Sequence, residues 1–292
     1  TFLEKSFPPP EPPSLQKIYG ETARSAVSHE SFEGVRGNFF KSSPEKDFEK
    51  NFIGHVEFKN VCFGYEPETP VIKNFTAEVK PGQKIAIVGH TGAGKTTIVK
   101  LLMRFYDVNA GEIFLDGKNI EEYERDELRR HFGMVLQDTW LFSGTIADNI
   151  RYGRLDASDE DVKNAAKAAQ AHHFIRALPD GYAMQINEEA DNISAGQKQL
   201  LTIARTVLAA PDILILDEAT SNVDTRTEVQ IRRATDNLMK GRTSFIIAHR
   251  LSTIQSADLI LVMQNGDIAE QGTHEELLAA GGVYEKLHAS RF

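Results

Sequence analysis

Residues 89–97 read GHTGAGKTT, and this short stretch constrains the chain more than any other. It fits G-x-x-x-x-G-K-[ST] at Gly89, Gly94, Lys95 and Thr96, after an apolar run, KIAIV, and before a helical run, TTIVKLLMRF. The glycines let backbone N–H groups turn inward. The loop through His90, Thr91, Gly92 and Ala93 to Thr97 can then line phosphate oxygens, and the helix start adds its positive dipole end. Lys95 brings a charge toward the β- and γ-phosphates, and the Thr96 hydroxyl is placed to ligate Mg2+. A glycine turn of purely structural purpose has no need of that Lys-Thr pair or of the strand-then-helix order.

A loop of this kind needs a sheet edge, and the sequence supplies the strands. HVEFKNVCF, VIKNFTAEV, KIAIV, FGMVLQ, DILILD and TSFIIA read as strands, and ADLILVMQNGDIAEQG reads as a pair turning at Asn265-Gly266. TTIVKLLMRF, ERDELRRHF, SDEDVKNAAKAAQAHHFIRAL, TRTEVQIRRATDNLMK and THEELLAAGGVYEKLHA read as helices. The alternation predicts an α/β domain with a largely parallel central sheet. Residues 138–208 read as nearly all helix, which predicts a helical lobe inserted into that domain. Residues 1–50 differ. FPPPEPP and the polar, irregular text after it read as a linker or loosely docked extension, with a regulatory segment or a connection to a membrane domain as the alternative.

Two further stretches carry chemistry. ILILDEAT ends an apolar strand in two acids, Asp217 and Glu218, at the edge where open α/β sheets bind ligands. Adjacent strand residues face opposite ways, so the two acids divide the work. Asp217 is suited to hold Mg2+ through water and Glu218 to act as general base on an attacking water. An Asp-Glu pair ending a strand is by itself a common solvated terminus; the phosphate loop before it favours the catalytic reading. DNISAGQKQL, residues 191–200, sets a Ser, a small residue, a Gly and a Gln where a helix begins, a second turn fit to grip an anion.

Composition narrows the partners. Net charge is −9 and no Lys/Arg cluster stands out, which argues against nucleic acid as a partner. No apolar run approaches the length of a membrane span, no leader pattern is evident, and the single Cys62 fits a reducing compartment.

The order GHTGAGKTT, VLQDTWLF, NISAGQKQL, LILDEATSNVD, IIAHRLSTI resembles the nucleotide-binding domain of ATP-binding-cassette (ABC) transporters. QDTWLFSGTIADNI is similar to the exporter type, as in bacterial multidrug-type half-transporters. The resemblance covers residues 52–292, leaving 1–50 outside, and sets the cassette at 51–292 with its helical subdomain at about 138–208. It implies an α/β P-loop NTPase fold with a mixed, largely parallel central sheet, an N-terminal antiparallel β region and an inserted helical subdomain. ATP and Mg2+ are the implied cofactors.

By that resemblance Gln137 contacts Mg2+ and reports the γ-phosphate to a membrane partner. His249 is the switch histidine on the γ-phosphate, Tyr65 stacks on adenine, and Asp224 is the acid of the D-loop, which acts across a dimer. Glu188 stands where exporters place an acid that senses membrane-domain loops, although its flanking residues depart from the usual pattern. Without the neighbouring motifs, Gln137 and His249 would read as strand-end polar residues and Tyr65 as core. Ser194, Ala195, Gly196 and Gln197 match the signature motif, which caps the ATP held by a facing domain; Ile193 replaces its Leu and Ala195 its first Gly.

The implied function is an ATP-hydrolysing motor that closes as a homo- or heterodimer over two ATP. It drives the transmembrane domain of an exporter from the cytoplasmic face of a membrane, the inner membrane in a bacterium. The alternatives are a non-transport cassette ATPase and a cassette that binds ATP with little turnover. Glu218, His249 and Gln137 together argue against the latter.

Overall fold

The apolar runs become the inner strands of a six-stranded sheet. In this computed structural model the described residues are 52–66, 68–136, 139–187, 190–217, 223–248 and 250–291. In chain order their strands are β1 (Val56–Phe63), β2 (Ile72–Val79), β3 (Lys84–Gly89), β4 (Ala110–Leu115), β5 (Lys118–Asn119), β6 (Phe132–Val135), β7 (Gly144–Thr145), β8 (Gln185–Ile186), β9 (Ile213–Asp217), β10 (Thr243–Ile247), β11 (Leu259–Gln264) and β12 (Asp267–Gly272). The α-helices are α1 (Lys95–Leu102), α2 (Arg125–Arg130), α3 (Ile146–Arg151), α4 (Asp159–Ala168), α5 (His172–Ala177), α6 (Ala195–Ala209), α7 (Thr225–Met239), α8 (Leu251–Gln255), α9 (His274–Ala280) and α10 (Val283–Arg291).

The large sheet runs β12-β11-β3-β10-β9-β6, parallel throughout except for the closing hairpin of β11 and β12. Parallel strands are covered on both faces and so need continuous apolar text. Ile85 to Val88 of β3 and Ile213 to Leu216 of β9 meet that need and are buried throughout. Each buried Ile, Leu or Val contributes roughly 1.5–3 kcal/mol. A four-stranded sheet, β2-β1-β4-β5, stands beside it. Its pairings are antiparallel, and β2 alternates, with Ile72, Phe75, Ala77 and Val79 buried. The mixed sheet and the antiparallel region are those the resemblance implies.

Four details differ from the sequence expectations. The single helix read over 158–178 is two, α4 and α5. Gln170 takes a left-handed φ of 59°, while its N–H donates to Lys167 O at 3.1 Å and that of Ala171 donates to Ala166 O at 2.8 Å. That is a Schellman closure, with glutamine where glycine is usual. The helix read over 124–132 stops at Arg130, because Phe132 begins β6. The stretch read as nearly all helix also contains a two-stranded pair, β7 with β8. β4 and β5 lie where the reading set no strand; they join at Asp116-Gly117. The Asp116 carboxylate accepts from the backbone N–H groups of Ile53, Gly54 and His55, tying the start of the sheet to that turn.

α6 is the axis of the helical part. It packs against α3, α4 and α7, burying Leu200, Leu201, Ile203, Ala204 and Leu208. Among the described residues no helix is long and apolar enough to cross a membrane. The proline-rich reading of residues 1–50 lies outside the described residues.

Candidate active site

β3 delivers the phosphate loop to the carboxyl edge of the sheet. Gly89 ends the strand pressed against β11, where a Cβ would overlap the Met263 carbonyl oxygen. Gly94 opens α1 with φ 102°, and a Cβ there would come within 2.6 Å of Ile72 Cδ1. Conformation and space both exclude a side chain at that position. His90, Thr91, Gly92 and Thr96 are exposed along the loop, whereas Ala93 and Thr97 are buried beneath it. Lys95 folds back over the loop and is 9% exposed. Its Nζ donates to Gly89 O at 2.9 Å and His90 O at 3.0 Å. The cradle therefore has an exposed rim of backbone and hydroxyls with a nearly buried cation held at its centre. It fits a phosphate chain.

Asp217 ends β9 half-buried and in register with Ile247 of β10, which is itself in register with Ile87 of β3. Parallel pairing puts Gly89 and Asp217 at one edge of the sheet, two strands or about 10 Å apart. The Thr96 hydroxyl and the Asp217 carboxylate are hard oxygen donors of the kind Mg2+ takes. β6 ends at Val135, two residues before Gln137, and β10 ends at Ile247, two residues before His249. Glu218 follows Asp217 directly. Gln137, Glu188, Glu218 and His249 themselves lie outside the described residues.

Tyr65 stands beside α1. Its hydroxyl lies 3.3 Å from Thr97 Oγ1, and its ring meets Tyr106 and Phe63 edge-on at 5.2 and 5.0 Å. Lys100 Nζ lies 5.7 Å from the ring centre, and burial lowers the pKa of that lysine. The ring is thus anchored to the first turn after the phosphate loop and remains half-exposed.

The second turn that the sequence suggests as an anion grip belongs to another helix. Ser194 is the N-cap of α6: its Oγ accepts from Gln197 N at 3.3 Å, and Gln197 Oε1 accepts from Ser194 N at 3.0 Å. This capping box rigidifies the turn and leaves the hydroxyl proton outside both bonds. Ala195 is the exposed first residue of the helix and has no left-handed φ, so its methyl is accommodated where the family has glycine. Gly196 is buried, and Asp224 caps α7 by accepting from Thr227 N at 3.0 Å. Hydrogen bonds from Thr227 hold the Asp224 carboxyl below the usual range. The structure thus brings Ser194 to Gln197 beside Asp224, on elements distinct from the phosphate loop.

Sequence reading passed over one polar cluster, half-buried Arg205 with buried Asn149. Its one signal was a cation inside the apolar run LLTIARTVLAA.

A parallel sheet presenting a glycine loop, a Lys-Thr pair and a strand-terminal acid at one edge defines a P-loop nucleotide-binding cassette. The ABC transporter family matches residues 72–221, and the chain belongs to that family. A fatty acid ABC transporter ATP-binding/permease protein of Mycobacterium bovis is 54% identical over 248 residues, 85% of this chain and 39% of its own. An ATP-dependent lipid A-core flippase of Saccharophagus degradans is 49% identical over 239 residues, 82% of this chain and 41% of its own. A bacterial Atm1-family ABC exporter solved with ATP bound superposes with a TM-score of 0.75 at 45% identity, over 81% of this chain and 42% of that one. The match falls on the ATP-binding cassette that these relatives share. The chain spans about two fifths of the length of the curated relatives it matches.

Proposed function

We propose that the chain binds ATP at the loop of Gly89 to Thr97 and hydrolyses it in a dimer, where each site joins one chain's phosphate loop to the other chain's Ser194 turn. One observation carries this reading: the Ser194 turn is a closed capping box at the start of α6, and its described contacts are with Gln197, Val223 and Thr227 rather than with the phosphate loop. An identical fold presents both halves, so a two-fold pair closes two sites at once.

Within such a site, Lys95 turns from the loop carbonyls to the phosphates, and Tyr65 receives the adenine. The Ser194 hydroxyl donates to the γ-phosphate of the facing chain, with Gly196 and Gln197 fixing its turn. Thr96, Asp217 and Gln137 hold Mg2+, which when bound neutralises charge building on the phosphate oxygens. Glu218 takes a proton from the attacking water, and His249 hydrogen-bonds the γ-phosphate. Closing and reopening drive the membrane-spanning part of an exporter from its cytoplasmic side, and Glu188 serves that contact. The fatty acid and lipid A names of the two relatives point to an amphiphilic, lipid-like cargo.

Complementation tests the composite site. Lys95→Ala disables a chain's own loop and leaves its Ser194 turn; Ser194→Arg does the reverse. Equal mixing makes half the dimers mixed, and each mixed dimer has one site built from two intact halves. ATPase activity therefore returns to roughly a quarter of wild type. Recovery of none, with mixed dimers verified by differential tags, contradicts the reading.

A further inference from the structure

Arg205 is a cation within the apolar text of α6, the helix that the Ser194 turn begins. Its described partners are carbonyl oxygens and ring faces, not a carboxylate. Nε donates to Asn149 O at 2.9 Å, and the terminal nitrogens donate to Trp140 O at 3.2 Å and Asn149 Oδ1 at 3.1 Å. The guanidinium lies 5.2 Å from the Tyr152 ring centre and 5.9 Å from that of Trp140. Burial draws its pKa down to about 10, which leaves it charged at neutral pH.

Asn149, 1% exposed, completes the network. Its Oδ1 also accepts from Phe142 N at 3.0 Å, and its Nδ2 donates to Phe142 O at 2.9 Å and Thr145 O at 3.1 Å. A satisfied buried network of this kind fixes one arrangement of its elements. The backbone is held as tightly, because a Cβ on Gly153 would overlap the Arg205 carbonyl oxygen. The next residue reaches the other way: Thr206 Oγ1 donates to Met134 O at 3.3 Å. Arg205 and Thr206 thus grip the chain three residues after and three residues before Gln137.

Arg205 is eleven residues from Ser194, about 16 Å along the helix axis at 1.5 Å per residue. A tilt of about 10° at that anchor would carry the Ser194 turn by about 3 Å, a whole hydrogen-bond length. We propose that Arg205 is a positioning residue for ATP turnover, locking the signature helix to Trp140 and Asn149 and so setting where the Ser194 turn meets the facing chain's nucleotide. The inference rests on the composite-site reading above.

That placement makes the residue act in trans, a behaviour that a general loss of stability does not produce. In Arg205→Met, turnover at saturating ATP falls about tenfold or more, as misplacement of this size does, while ATP affinity measured by calorimetry stays within about twofold of wild type. Mixed with Lys95→Ala, it recovers to the level of the reference pair Ser194→Arg with Lys95→Ala, because one site regains two intact halves. Mixed with Ser194→Arg, it stays inactive, because both signature halves are damaged. Where Arg205→Met shows no cooperative thermal transition, Arg205→Lys, which keeps the charge, goes through the same mixtures. Wild-type turnover in the folded variant, or no recovery with Lys95→Ala while the reference pair recovers, overturns the proposal. A reference pair that fails to recover removes the composite-site reading, and this inference with it.

Discussion

The backbone of Gly196 lies against Thr227 with no space for a side chain: a Cβ there would overlap Thr227 Cγ2 and come within 3.0 Å of Val223 Cγ1. Thr227 in turn bonds the Asp224 carboxylate through its backbone N–H. The Ser194 turn and the Asp224 cap are therefore pressed into one unit, and a displacement of either moves the other. In the dimer proposed above, that unit would face the partner's nucleotide.

The contact separates two neighbouring positions. Gly196→Ala forces α6 and α7 apart, an overpacking that costs about 1–3 kcal/mol and lowers turnover with it. Ala195→Gly adds no clash at an exposed position and leaves turnover within about twofold of wild type. Urea unfolding and steady-state ATPase assays check both; equal effects from the two substitutions would count against this account of the turn.

Nucleotide affinity separates the loop from the aromatic beside it. Lys95→Ala removes a charged donor, a loss of about 1.5–3 kcal/mol, and weakens both ATP binding and turnover. Tyr65→Ala removes base stacking and weakens binding less, by about 1 kcal/mol, the low end for base–aromatic contacts, with turnover at saturating ATP largely kept. Isothermal calorimetry with ATP reads the order directly. Wild-type affinity in Lys95→Ala would remove the phosphate-loop assignment.

Asp107 gives a pH test. It accepts from Arg104 Nε at 2.8 Å and from Arg125 at 2.7 Å, and the Arg104 bond leads the causes that hold its carboxyl below the usual range. A depressed folded pKa contributes stability above the unfolded value, about 3.9, and loses it as pH falls through the folded value. Asp107→Asn is therefore less stable than wild type at pH 7, and the gap closes as the pH falls below about 4. Urea midpoints at neutral and acid pH measure it; a gap that widens on acidification contradicts the assignment.

Much of this was legible in the sequence, for physical reasons that differ by element. KIAIV and DILILD could only be strands covered on both faces, and the loop after the first had one reading once Lys95 and Thr96 stood in it. The capping box of Ser194 and Gln197 is written in the sequence, and its partner turn was recognised through the family order. What escaped depended on tertiary context. Gln170 ends α4 in a left-handed conformation that glutamine does not advertise. β4 is short, with exposed residues at its start, and only its Asp-Gly turn announces it. Arg205 has no local signal of its role, because its partners, the carbonyls of Asn149 and Trp140, lie 56 and 65 residues away in sequence.

The central claim is hydrolysis by a strand-end carboxylate, and Glu218→Gln tests it most directly. The substitution keeps the shape and hydrogen bonding of the side chain and removes its charge. Phosphate release at saturating ATP should fall roughly 100-fold or more, the scale of general-base catalysis, while ATP affinity by calorimetry stays near wild type. A Glu218→Gln protein that binds ATP normally and releases phosphate at near wild-type rate would contradict the account.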